Sequence, residues 1–484
     1  MRFHIGLCLW LVAIILGAAV DLRAESPLVW PSPLSIGDSA QGPSTSGSRV
    51  TLPGLPQRLT LKQAMDLLVQ RNLAVAAARY DIDAARAARL VASLRPNPIV
   101  TVGAEQLNPS ISPRFLRGMS TDNLASQTTY TTRIDQVYER GNKRRLRTEV
   151  ANYNVEAAEA QLLDILRQAL FNLKQAFYTT ILAKENLQVA QENLAYFEQT
   201  EKLIKISFEA GAVAEVDLIR VRTQRVQYQR DYTDALKSYQ QSLRDMLNLL
   251  GVEEVPPEAL AIPQTSSPAT VATTAPPALL ETGGNLRIKP QTFQRNELRR
   301  LALTNRPDVL NARKLLAASN SSLMLARSLR RRDISAGMEY QRVGSEGTLG
   351  VIVQFPLFVF NNQQGAIDQA VATMRAGRAR LRQAELQAMT EVDKAFSNYE
   401  LSQQLLKTYS DEYIKGAEEA RNIEEYSYRA GHKSLIEFLD AQRAYNQARV
   451  AINQARFDYR LALYQIEQAV GATLLDEDRI TEFN

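Results

Sequence analysis

Two hydrophobic periods alternate along this chain, and their order occurs twice. Helical spacing runs from Thr60 to Ser93, yields to apolar-polar alternation over Ile99 to Gln106 and Thr128 to Val137, and resumes from Lys143 to Ala210. The same succession then returns as helical spacing over Gln294 to Leu329, alternation over Asp333 to Gln341 and Thr348 to Phe358, and helical spacing from Gly365 to Ala430. In the cleanest alternating stretch Ile334, Ala336, Met338 and Tyr340 fall on one face of a strand, with Ser335, Gly337, Glu339 and Gln341 on the other. Thr60 is placed to cap the first helix and Arg95-Pro96 to stop it. The two longest helical stretches hold no proline and, at 1.5 Å per residue, should approach ~100 Å each.

Identical residues at fixed offsets show that the recurrence is a duplication. Ala210-Gly211 and Ala430-Gly431 lie 220 residues apart, as do Gly251 and Gly471, and Tyr239 and Tyr459. Upstream, Ala78-Arg79 match Ala312-Arg313, Gly103 matches Gly337 and Glu105 matches Glu339, all at an offset of 234. The change of offset assigns fourteen additional residues to the first half, in the polar stretch Asn108 to Gln127. A unit of this size implies two homologous halves of one structure, not a solenoid. The expected fold is therefore mostly α with a small β part, a tandem-duplicated strand-and-long-helix unit. Its expected divisions are a signal peptide over 1–24, an extended segment over 25–58, a first repeat over 59–252, a Pro/Thr/Ala-rich linker over 253–290, a second repeat over 291–472 and a tail over 473–484.

Strands of about ten residues suit a membrane barrel, but four of them cannot close one. An open sheet edge cannot stand in lipid, because its backbone groups would be unpaired, so several copies would have to pool their strands. A soluble four-stranded sheet is the alternative that alternation alone leaves open. In the last helix the stripe Ala444, Ala448, Ala451, Ala455, Tyr459, Ala462, Ile466 has a mean spacing nearer 3.6 than 3.5, so the helices should pack with little left-handed supercoil. An antiparallel coiled coil would show the same stripe.

The apolar run Ile5 to Val20 follows Arg2 and is shorter than the ~20 residues a spanning helix needs, so it reads as an export signal cleaved after Ala24. Cys8 lies within it and is the only cysteine, which removes disulfides and thiolate metal sites from the mature chain. The 57 basic and 52 acidic residues are interspersed, which argues against nucleic acid. The cluster Arg330-Arg331-Arg332 precedes a strand and reads as an anchor at a membrane edge or as a solvated face. His4 and His432 are the only histidines, too few for a zinc or histidine-based catalytic site in one chain. Phosphate-loop, nucleophile-elbow and metalloprotease motifs are missing from the sequence. No cofactor is expected.

Together these features resemble the TolC-like outer-membrane efflux proteins over nearly the whole mature chain. NRPDV (Asn305 to Val309) resembles that family's second-half helix signature, and YRAGHKSLIEFLDAQ (Tyr428 to Gln442) its tip motif. RPNPIVTVGAE (Arg95 to Glu105) and QVYERGNKR (Gln136 to Arg144) are most similar to the branch that exports cobalt, zinc, cadmium or copper. The resemblance implies a homotrimer with a twelve-stranded barrel in outer-membrane lipid and a helical tunnel through the periplasm. It implies partnership with a periplasmic adaptor and an inner-membrane pump, and no enzymatic activity. It assigns a channel gate to Glu437 and Asp440, a closed-state latch to Asp217, Tyr428 and Lys433, and adaptor docking to the tips Ala210-Gly211 and Ala430-Gly431. Lys433 stands where an arginine is common, which predicts a weaker latch, because an ammonium lacks the guanidinium fork. Drug or polypeptide export, and a periplasmic coiled-coil adaptor, are the rival functions.

Overall fold

A computed structural model describes residues 58–105, 129–252, 281–343 and 346–475. The expected signal peptide and N-terminal segment up to residue 57, the long hairpin connection, most of the linker and the tail beyond 475 lie outside the described residues.

The first repeat opens with β1 (Arg58–Leu59), α1 (Leu61–Arg71) and α2 (Leu73–Ser93). Thr60 caps α1 in a reciprocal box with Gln63, as its position suggested. The single helix expected from Thr60 to Ser93 is divided at Asn72. That residue leaves helical geometry, ends α1 through its N–H to the Leu68 carbonyl, and starts α2 by accepting from the N–H groups of Ala74 and Val75. The second repeat repeats the device 234 residues later: α5 (Arg295–Asn305) stops at Arg306 and α6 (Pro307–Ser328) starts with proline at its first position. Arg79 donates to the Val69 carbonyl across the first break and Arg313 to the Leu303 carbonyl across the second, at the same offset.

Each short helix pair leads into a hairpin: β2 (Ile99–Glu105) with β3 (Thr129–Tyr138), and β5 (Ile334–Val343) with β6 (Glu346–Gln354). The four form one antiparallel sheet in the order β2-β3-β5-β6, so β2 and β6 are open edges. Directly paired residues share a face. Val100, Ile134, Met338 and Val351 line up across the sheet, followed by Val102, Thr132, Tyr340 and Leu349. The opposite face carries Arg133 beside Glu339 and Asp135 beside Gly337, with Thr101, Thr131, Gln341 and Thr348. One side of the sheet is therefore apolar and exposed, and the other is polar.

From the sheet the chain enters α3 (Lys143–Glu209), an unbroken helix of 67 residues, and returns along α4 (Glu215–Leu249). Residues 281–290, expected within the linker, instead pack: β4 (Glu281–Thr282) pairs in parallel with β1, and Leu286 is buried with Leu59, Phe177 and Ile181. Arg460 donates to the Asn285 carbonyl at 2.7 Å and its guanidinium lies over the Tyr178 ring. The second long arm departs from its expected continuity. It comprises α7 (Gln364–Thr408) and α8 (Asp411–Arg429), interrupted at Tyr409-Ser410, before α9 (Leu435–Val470) returns. From Gln364 to Arg429 this arm is 66 residues, one fewer than α3. In an unbroken helix that missing residue would turn everything beyond it by about 100°; the interruption, recapped by Ser410 on the N–H of Tyr413, absorbs it.

The alanine stripe of α9 holds from Ala448 upward, where Ala448, Ala455, Tyr459, Ala462 and Ile466 are buried, but Ala444 is exposed. Nearer the tip the buried face is Phe438, Leu439, Gln442 and Asn446, because the first hairpin packs there with Phe197, Leu218, Val221 and Tyr228. The amides are linked in a chain, Gln442 donating to Asn446 and Asn446 to the Tyr228 hydroxyl, while the buried Gln442 Oε1 has no partner.

Candidate functional site: the hairpin tips

Both long hairpins turn by the same construction. At the first, the N–H groups of Ala210, Gly211 and Ala212 donate to the carbonyls of Ile206, Phe208 and Ser207; at the second, those of Ala430, Gly431 and His432 donate to Tyr426, Tyr428 and Ser427. The glycines stand at φ +75° and +77°, which a side chain would strain, and this explains the Ala-Gly pairs. Apolar side chains are exposed close by, Ile206, Phe208 and Val216 on one tip and Ile423, Tyr426 and Ile436 on the other.

The returning helices differ where they begin. Asp217 and Glu437 are counterparts at the 220-residue offset, each in a helix's first turn, but Ala214 precedes one and Ser434 the other. Ser434 makes a capping box, so the Glu437 carboxylate accepts from its N–H at 2.9 Å and from its hydroxyl at 3.3 Å. The bond from that N–H, aided by Lys433, holds the Glu437 carboxyl below the usual glutamate range. Asp217 has no such hydroxyl behind it and pairs with Arg220 at 3.2 Å. Burial pushes the Tyr428 phenol up, and the nearby charge of Asp217 adds to the shift. Tyr428 also stacks on Phe438, rings nearly parallel at 5.8 Å.

Of the residues expected to form a latch, Asp217 and Tyr428 are thus neighbours across the two hairpins. Lys433 instead faces Glu424 at 3.4 Å and Glu437 at 3.7 Å within its own hairpin. The two expected gate acids lie one turn apart, Glu437 beside Lys433 and Asp440 paired with Arg443 at 3.0 Å.

Three groups went unnoticed in the sequence. About two turns along α9 from Asp440, Arg449 reaches Glu192 of α3 at 2.7 Å, and Tyr445 lies between Arg449 and Arg421. On α3, Tyr196 is pushed up to about 12 by burial and by its bond to Glu425, which Arg421 and Arg429 also hold. These contacts tie the second hairpin to the first above the tip. Far from both tips, Arg306 is only 2% exposed and forks onto Asp308 while reaching Glu391 at 2.6 Å and the Ala469 carbonyl at 3.1 Å. Burial works against its charge, but the bonds to Asp308 outweigh that cost and hold the guanidinium above its ordinary value. The NRPDV motif thus carries a structural anchor between α5, α7 and α9.

The family model for outer membrane efflux proteins matches residues 64–252 and 298–472, the two repeats. The chain belongs to the outer membrane efflux protein family. Among curated relatives of this efflux protein, the cobalt-zinc-cadmium resistance protein CzcC of Cupriavidus metallidurans is 22% identical over 394 residues, covering 81% of this chain and 85% of that one. The outer membrane protein TolC of Vibrio cholerae is 24% identical over 344 residues, 68% of this chain and 73% of its own. A crystal structure of CusC, described in connection with transmembrane channel formation, superimposes with a TM-score of 0.67 at 16% identity, covering 85% of this chain and 92% of that one. This efflux protein is accordingly an outer-membrane efflux channel subunit.

Proposed function

We propose that three copies of this chain form a passive exit duct for metal cations, delivered by an inner-membrane pump through a periplasmic adaptor that engages the Ala210-Gly211 and Ala430-Gly431 tips. The observation that carries the assembly is the sheet: one face is mostly apolar and the other mostly polar, and among the described residues both edges, β2 and β6, are unpaired. Those edges must be satisfied by neighbouring copies in lipid. Similarity to the cobalt-zinc-cadmium resistance protein supports metal cargo.

Three subunits bring six carboxylates to one end of the tunnel through Glu437 and Asp440, and this ring attracts cations and repels anions. Asp217 with Tyr428 keeps the two tips together when no adaptor is bound, and Lys433, held by Glu424 and Glu437, stiffens the second tip on which Tyr428 stands. The duct performs no chemistry, and the pump supplies the energy.

Deleting the gene and scoring growth on zinc, cobalt, copper and hydrophobic drugs tests the cargo. Hypersensitivity to metals is expected; hypersensitivity to drugs alone would assign the duct to drug export. Single-channel conductance tests the tip: Asp217→Ala, Tyr428→Phe and Lys433→Ala should each raise the current of the closed channel. Unchanged conductance in all three would remove the latch assignment.

A further inference from the structure

The end of the sheet nearest the long helices carries a chemistry the duct itself does not use. The apolar face terminates there in Tyr138, which is 61% exposed. Beyond β6 the same odd-numbered positions, Phe355, Leu357 and Val359, remain apolar and exposed. Immediately next to this girdle stand Arg95, Arg140, Arg144 and Arg145, and with them Arg330, Arg331 and Arg332, all exposed, Arg331 packing against Gly141. Arg332 lies over the Phe358 ring at 5.6 Å.

The acids in this region are already occupied. Both oxygens of Glu139 are held by Arg147, and Asp333 accepts from Lys143 at 2.8 Å and from the Arg140 N–H at 2.9 Å. Among the described residues, Arg95, Arg140, Arg144, Arg145, Arg330 and Arg331 have no carboxylate partner. Arg95, Arg144 and Arg145 line one cleft of about 620 Å³ with Tyr138 at its edge. A cluster of free guanidiniums at the lower margin of an apolar belt is complementary to a molecule with a phosphodiester head and acyl chains.

We propose that this rim binds anionic phospholipid headgroups in the periplasmic leaflet of the outer membrane, the leaflet adjoining the helices. The guanidinium forks take the phosphate, Tyr138 sits at headgroup level, and the acyl chains lie along the apolar face. The proposal uses the outer-membrane position of the sheet and is independent of what passes through the duct.

The test uses the full-length channel purified in a mild detergent, with phosphatidylglycerol, phosphatidylethanolamine and inorganic phosphate as probes. Phosphatidylglycerol should bind in preference to phosphatidylethanolamine and resist displacement by phosphate. The variant Arg144→Gln/Arg145→Gln should weaken it roughly thirtyfold, the effect of two surface charges on an anionic lipid. Arg144→Lys/Arg145→Lys should retain most of the binding, and Arg230→Gln/Lys237→Gln, remote on α4, should retain all of it. Arg331→Gln/Arg332→Gln supplies a second test from the segment that follows α6. Equal binding of the two lipids, undiminished binding in both Gln variants, or displacement by equimolar phosphate would each overturn the proposal.

Discussion

Asp217 and Glu437 began as one residue and now do different work because of a neighbour three positions upstream. A serine at 434 draws Glu437 back onto its own helix end, while an alanine at 214 leaves Asp217 free to face Tyr428. Ser434→Ala should therefore cost about 1 kcal/mol in hairpin stability, measurable as a lower thermal midpoint. The pH dependence has a definite sign. Because the folded-state Glu437 carboxyl titrates below its ordinary value, its stabilising contribution is complete above the usual glutamate range and disappears as pH falls through the lower folded value. Melting of the native channel and of Glu437→Gln should thus differ near neutral pH and converge as pH falls below the usual glutamate range, through the lower folded value; a constant gap would contradict the cap. Arg306→Ala should be far more severe, about 3–5 kcal/mol by denaturant unfolding, because it takes from the partly buried Asp308 and Glu391 the guanidinium that bonds both. The correspondence of Asp217 with Glu437 follows from the 220-residue offset of the repeats, and the NRPDV motif marked the stretch that holds Arg306. The partners of these residues were not legible: Glu391 lies 85 residues from Arg306, and burial at that distance depends on packing that no local pattern encodes.

Among the elements, strand identity and the lengths of the returning helices were legible, since period-2 alternation and closing glycines are local signals. The breaks were less so. Asn72 and the Arg306-Pro307 junction carried ordinary cap signals inside a continuous apolar period, and the period masked them. The Tyr409-Ser410 break had a subtler cause, the one-residue difference between the two arms, visible only when helix starts and tips are both fixed. Interrupted hydrogen bonding should raise local opening there. Hydrogen exchange should find the amides of 411–414 exchanging faster than those of 191–194, their counterparts within the unbroken α3; equal protection would show that Ser410 restores the helix fully.

At the level of the whole molecule, division of the sheet into two faces predicts which substitutions stop assembly. Met338→Arg places a charge on the lipid side at a cost of roughly 2–4 kcal/mol per subunit, and gel electrophoresis should show native chains as an oligomer that the variant fails to form. Glu339→Gln, its immediate neighbour on the polar side, should leave that oligomer intact. The open edges of β2 and β6 carry a further consequence for inheritance. No copy can complete its share of the barrel alone, so one faulty copy spoils the work of two sound ones. A cell expressing native and Met338→Arg chains equally would build roughly one channel in eight from native chains only, by random mixing within a threefold ring. Damage to this gene on its lipid-facing strands should behave as a dominant trait, whereas loss of the gene should be recessive.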